Sequence, residues 1–150
     1  MIINSLVHPS VKIWHPDQVN IYDSIIGAYT KIASFVEIGG CTIGEHCKIE
    51  AFAFLPPQTV IEDYVFIGPH VAVTNDRYPD VKRKDWKVEG VTIKRGASIG
   101  ANCVLIAGVT VGENALVGAG SVVAEDVAAG TVVYGNKAQE KRKVKQKRGK

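Results

Sequence analysis

The residues best equipped for chemistry lie in one short stretch, Thr74-Asn75-Asp76-Arg77-Tyr78-Pro79, and in the histidine just before it, His70. An imidazole titrates near about 6.5 and suits a general base, so His70, in "IGPHVAV", is a candidate proton acceptor. The competing reading of a lone histidine here is structural or solvent-facing. Asp76 and Arg77 carry opposite charges on adjacent residues and read as a structural pair. Arg77 and Tyr78 offer a cation and a ring to a ligand, although Asp and Pro also make "DRYP" a natural turn. No histidine lies between residues 71 and 93, and the others, His8, His15 and His46, are far away in sequence. Cys41, Cys47 and Cys103 have neither zinc-like nor CxxC spacing. They read as small core side chains, and no metal is expected.

The elements that must position these residues show as a six-residue rhythm. Val7, Ile13 and Val19 are six apart, and after one extra residue come Ile26, Ile32 and Ile38. One residue is then missing before Ile43, Ile49, Leu55, Ile61, Ile67 and Val73. The rhythm lapses over roughly 74–92 and resumes at Ile93, Ile99, Leu105, Val111, Val117 and Val123. Positions six apart drift around an α-helix and never hold one face. A short strand followed by a tight corner accounts for the period, with the aliphatic side chain pointing inward. Gly27, Gly39, Gly44, Gly68, Gly100, Gly112 and Gly118 follow that residue and are expected to relax the backbone. Small or β-branched residues, from Val36 to Ser121, recur four positions after it. Such units stack into a solenoid.

Length and composition fit one domain of 150 residues, 46% hydrophobic and 22% charged. The formal charge of +3 hides an asymmetry: residues 137–150 hold eight Lys/Arg and one Glu, leaving ten basic and fourteen acidic residues in 1–136. The expected organisation is a β-helix domain over 1–136 and a basic tail over 137–150. The start, "MIINSLVHPS", lacks the order of a signal peptide, and no apolar run reaches membrane-spanning length. A cytoplasmic protein is expected, without a membrane or nucleic-acid partner.

"IGEHCK", "IGANCV", "VGENAL" and "VGAGSV" resemble the hexapeptide repeats of left-handed β-helix acyltransferases over roughly residues 7–136. The resemblance implies an all-β, left-handed parallel β-helix with one projecting loop over about 74–92. Left-handed crossovers would be an exception to the usual rule. It also implies a homotrimer with active sites between subunits. "VTNDRYP" and "KIWHP", residues 12–16, are similar to segments of nucleotide-sugar 3-amino N-acetyltransferases. These enzymes acetylate UDP- or dTDP-linked deoxysugars in surface-polysaccharide (lipopolysaccharide-type) synthesis, with acetyl-CoA as donor.

Hydroxyl-acetylating relatives carry a histidine in this loop, where Asn75 or its neighbour stands. An amide is a poor base, but a sugar amine titrating near about 8 is about one-tenth neutral at pH 7. Asn75 is therefore expected to orient the amine, with Asp76 either helping to hold it or paired with Arg77. The proton goes to the departing thiolate or to water. Trp14 and His15 are candidate nucleotide contacts. The resemblance places Ala101 and Ala119 at the pantetheine arm and Ala124 near adenosine, with Ala107 and Gly120 among the small residues of that groove. The chain departs from the family at "GNKAQ", where Lys137 replaces a proline; Lys137, Lys141 or Arg142 would then serve the phosphates. Sugar or serine O-acetylation through His70, and a non-catalytic β-helix scaffold, are the alternatives. A hydratase of this fold would need three convergent histidines, and the spacing of the four present does not supply them.

Overall fold

The structure, a computed structural model, describes residues 1–136. Short parallel strands of two or three residues wind through three sheets of seven, six and seven strands. The first sheet runs Ile2–Ile3, Asn20–Tyr22, Glu37–Gly39, Phe54–Leu55, Ala72–Val73, Val104–Leu105 and Val122–Val123. The second runs from Leu6–Val7 through Ile25–Ile26, Thr42–Ile43, Val60–Ile61 and Thr92–Ile93 to Thr110–Val111. The third begins at Lys12–Ile13 and ends at Val132–Val133. The chain visits the sheets in that order, turn after turn, as expected of the left-handed β-helix.

Register converts the rhythm into a core. Ile13, Ile32, Ile49, Ile67, Ile99, Val117 and Val133 are aligned rung on rung in the third sheet. Twelve large aliphatic residues, from Ile21 to Leu105, are at most 1% exposed. Thr59 and Ser121 occupy the small inward position and return their hydroxyls to the Pro56 and Gly118 carbonyls, each at 2.6 Å. Cys41, Cys47 and Cys103 are buried free thiols, and burial pushes Cys41 up to about 12.

Two details differ from the sequence reading. In the first sheet the inward rung is Ile21, aligned with Ile2 and Ile38, whereas Val19 takes the small position near the corner. The extra length sits earlier than expected, in the 3₁₀ turn Pro16–Gln18. The glycines after the aliphatic residue also have another reason. They are not left-handed; a Cβ on Gly44 would lie 2.3 Å from Asp63 Oδ1 and one on Gly68 2.7 Å from the Ala101 nitrogen. They let successive coils approach. The left-handed corners instead carry Tyr29, Phe35, His46, Phe52, Gln58, Tyr64, His70, Asn102 and Asn114. Their rings stack along the axis: Tyr29–His46–Tyr64 on one corner, and Phe35–Phe52–His70 on another.

The interruption leaves this scaffold in register. Ile61 pairs with Ile93 across 32 residues, where Ile43–Ile61 and Ile93–Val111 take 18, so the corner between the first and second sheets carries a 14-residue insertion.

Candidate active site

The loop departs after Val73 and is closed at its neck by backbone. Glu89 N–H donates to the Asn75 carbonyl at 2.9 Å, and Gly108 N–H donates to the Glu89 carbonyl at 3.2 Å. Glu89 thus restores the inter-coil ladder where the insertion ends. Thr74 fixes the departure: its hydroxyl donates to the Leu105 carbonyl and accepts from Ala107 N–H. Asn75 is half-buried, and its Nδ2 lies 3.5 Å from the Pro57 carbonyl.

Arg83, which the sequence reading did not single out, organises the loop. Its guanidinium donates to the Tyr78 carbonyl at 2.8 Å and faces Asp76 at 3.5 Å and Asp85 at 3.8 Å. Asp76 also accepts from Tyr78 N–H at 2.9 Å, closing the turn anticipated for "DRYP". The expected Asp76–Arg77 pair is replaced by Asp76–Arg83. Arg77 instead reaches down two coils, donating to the carbonyls of Ala107 at 3.0 Å and Ala124 at 3.1 Å. A rigid guanidinium fork suits two acceptors at once. Tyr78 itself is exposed.

The remaining candidates divide between two corners. Asn75, Arg77, Ala107 and Ala124 share the corner from the first to the second sheet. Trp14, His15, His70, Ala101, Ala119 and Gly120 lie on the corner from the third to the first. The strand Ala72–Val73 runs between His70 and Asn75, five residues or up to roughly 17 Å of extended chain. His70 stacks on Phe52 at 4.7 Å, and its ring has no hydrogen-bond partner among the described residues. Lys12 Nζ sits 3.6 Å from the Trp14 ring centroid, so one indole face is already covered; His15 precedes the 3₁₀ turn without capping it.

Among the cofactor candidates, Ala107 is engaged by the loop. It is fully buried, its N–H is given to Thr74 and its carbonyl accepts from Arg77. Gly120 is left-handed with open space where a Cβ would be, and Ala101 gives its carbonyl to Gly120 N–H. Lys137, Lys141 and Arg142 lie outside the described residues. No group of three His, Cys, Asp or Glu side chains is placed to hold a metal among the described residues.

Residues 40–75 and 90–125 match the model of the bacterial transferase hexapeptide (six repeats) family, and the unmatched gap falls on the loop. The chain belongs to the hexapeptide-repeat transferases. A UDP-3-O-acylglucosamine N-acyltransferase from Methylobacterium nodulans is 44% identical over 52 residues, 34% of this chain. The chain spans only 15% of that relative's length. A hexapeptide-repeat acetyltransferase from Vibrio cholerae, complexed with acetyl coenzyme A, superposes with a TM-score of 0.60 at 27% identity, covering 89% of this chain and 67% of that one. The N-acyltransferase AntD from Bacillus cereus, a mutant bound to dTDP-4-amino-4,6-dideoxyglucose and coenzyme A, shares the fold with a TM-score of 0.67 at 24% identity over 91% of this chain and 79% of its own. Among the described residues no helix is long and apolar enough to cross a membrane.

Proposed function

We propose that this hexapeptide-repeat transferase is an acetyl-CoA-dependent N-acetyltransferase acting on the amino group of a UDP- or dTDP-linked 3-amino deoxysugar, in surface-polysaccharide precursor synthesis in the cytoplasm. The observation that carries the reading is the composition of the insertion. The solenoid is interrupted at one corner, and the neck of that loop presents Asn75 and no histidine, with His70 beyond the next strand. A hydroxyl nucleophile needs a base there, whereas an amine has a neutral fraction that attacks a thioester unaided. The N-acyltransferase and the acetyl-CoA-bound relatives support the reaction class and the donor.

In the reaction, the amine nitrogen attacks the thioester carbonyl, the C–N bond forms and the C–S bond breaks. Orientation of the two reactants is worth up to about 7–11 kcal/mol when the geometry is ideal. Asn75 orients the amine, and Arg77 and Arg83 hold the loop in the shape that presents it. Ala101, Ala119 and Gly120 lie on the opposite corner, so one chain supplies the amine side and a neighbouring copy the donor side. That division is why a homotrimer, with closed symmetry and a shared cleft at each interface, belongs to the proposal.

The test is turnover with acetyl-CoA across UDP- and dTDP-linked 3-amino sugars, with 4-amino and hydroxyl analogues alongside, read by mass spectrometry of the sugar. Acetyl gain on 3-amino sugars is expected. Acetylation of the hydroxyl analogues instead would move the nucleophile's base to His70, and absence of both turnover and acetyl-CoA binding would leave a scaffold.

A further inference from the structure

We infer that Glu89 is the carboxylate that accepts the substrate's ammonium proton, a role that rests on the N-acetyltransferase reading above. Most of a sugar amine is protonated at neutral pH, and only the neutral form attacks. A group that took the proton at the site would let substrate that binds as the ammonium go on to react. Asn75 cannot do this, and His70 is on another corner.

Glu89 has the required placement. Its backbone is fixed on both sides, by the Asn75 carbonyl at 2.9 Å and by Gly108 N–H at 3.2 Å. Its carboxylate lies over the next coil: Oε2 is 3.2 Å from where a Cβ on Gly108 would stand. Gly108 is left-handed, with φ +82, so a side chain is disfavoured there on two grounds. The next residue, Gly90, carries a related constraint, since its Cβ would lie 2.1 Å from the Gln58 carbonyl oxygen. These contacts fix the Glu89 backbone against the corner. Glu89 is half-buried, and its carboxylate has no hydrogen bond or ion pair among the described residues. The other loop acids differ: Asp76 and Asp85 face Arg83, and Asp80 accepts from Lys82 N–H. Of the cations near it along the chain, Lys87 is exposed and forms no ion pair among the described residues, and Lys94 and Arg95 are committed to Glu62 and Asp63. Glu89 is therefore a positioned, unspent anion beside Asn75, suited to a cationic amine.

The proton balance closes. The ammonium gives one proton to Glu89 and becomes the free amine. The amine attacks the thioester, the C–S electron pair leaves as thiolate, and the second nitrogen proton goes to that thiolate to give coenzyme A. Glu89 then releases its proton to water.

The experiment is the pH dependence of kcat/KM for the unmodified protein, Glu89→Gln and Glu89→Asp, using acetyl-CoA and the amino sugar that turns over. With a carboxylate at the site, ammonium substrate is productive and kcat/KM stays flat from pH 6.5 to 8. With Glu89→Gln only free amine reacts, so kcat/KM climbs about tenfold per pH unit well below the amine's own pKa of about 8, and some 15-fold over that interval. Glu89→Asp is expected to recover a flat profile at reduced height. A parallel drop in Glu89→Gln with an unchanged profile would make Glu89 structural and overturn the proposal, as would a Glu89→Gln profile matching the unmodified protein. If Glu89→Gln does not fold, Glu89→Asp decides: a flat profile supports the assignment and a tenfold-per-unit slope overturns it. Failure of the unmodified protein to acetylate any amino sugar would bring down the enzymatic reading first, and this assignment with it.

Discussion

Arg77→Ala tests whether the loop is docked on the coils or merely tethered at its neck. The guanidinium makes two hydrogen bonds, to the carbonyls of Ala107 at 3.0 Å and Ala124 at 3.1 Å. Hydrogen bonds from a charged donor contribute about 1.5–3 kcal/mol each. The bond to Ala124 is exposed to solvent, so its share belongs at or below the low end of that range. A combined loss of roughly 2–3 kcal/mol for docking follows, equivalent to roughly 30- to 150-fold in the closed-to-open equilibrium of the loop. Hydrogen exchange reads this directly. The Glu89 and Tyr78 amides, bonded to the Asn75 carbonyl and to Asp76, should exchange faster by that factor. Amides in the rungs below, such as Ser98 to the Ala115 carbonyl, should be unchanged. Arg77→Lys should recover only part of the protection, because an ammonium does not reach two carbonyls as a fork does. Unchanged loop exchange in Arg77→Ala would refute the reasoning, and so would equal acceleration throughout the rungs.

Asn75→Ala should lower turnover strongly while His70→Ala lowers it little; a larger loss at His70 in steady-state assays would sink the reading in which catalysis needs no histidine base. Ile67→Ala should cost about 2–5 kcal/mol, as large-to-small changes in a closed core do, measured by denaturant unfolding. Gly44→Ala should destabilise by about 1–3 kcal/mol through the clash with Asp63, seen as a fall in melting temperature without loss of the β signal in circular dichroism. Cys41 should resist thiol reagents in the native state at pH 8, since burial pushes it up to about 12. The sign of its effect on stability follows. Above the unfolded thiol's pKa the unfolded chain loses a proton that the folded chain keeps, so stability should fall progressively as pH rises from about 9 towards about 12, measurable by urea titration.

The core was legible because one large inward aliphatic side chain per six residues is a constraint that every coil repeats. The corners were less legible. Val19 and Ile21 are both aliphatic and both buried, and only the rung alignment with Ile38 shows which one faces the axis. The glycine column was visible, but the sequence could not distinguish backbone freedom from inter-coil approach, which is a contact between residues about eighteen apart. The loop's composition marked it as the candidate site, yet its partners lie across coils. Arg77 meets Ala107 and Ala124, 30 and 47 residues away, and nothing local in "DRYP" signals either. Arg83 and Glu89 escaped notice for the same reason, since each looks like one charge among several until the fold closes the neck.

The preserved register across the insertion has an evolutionary consequence. Ile61 and Ile93 pair as though the intervening fourteen extra residues were absent, so the rungs constrain the loop only at its two ends. A lineage can lengthen, shorten or rewrite residues between Asn75 and Glu89 without renegotiating a single rung of the helix. The coil behaves as a socket and the loop as an exchangeable insert, a division under which recognition can diversify quickly while the load of folding stays with the repeats.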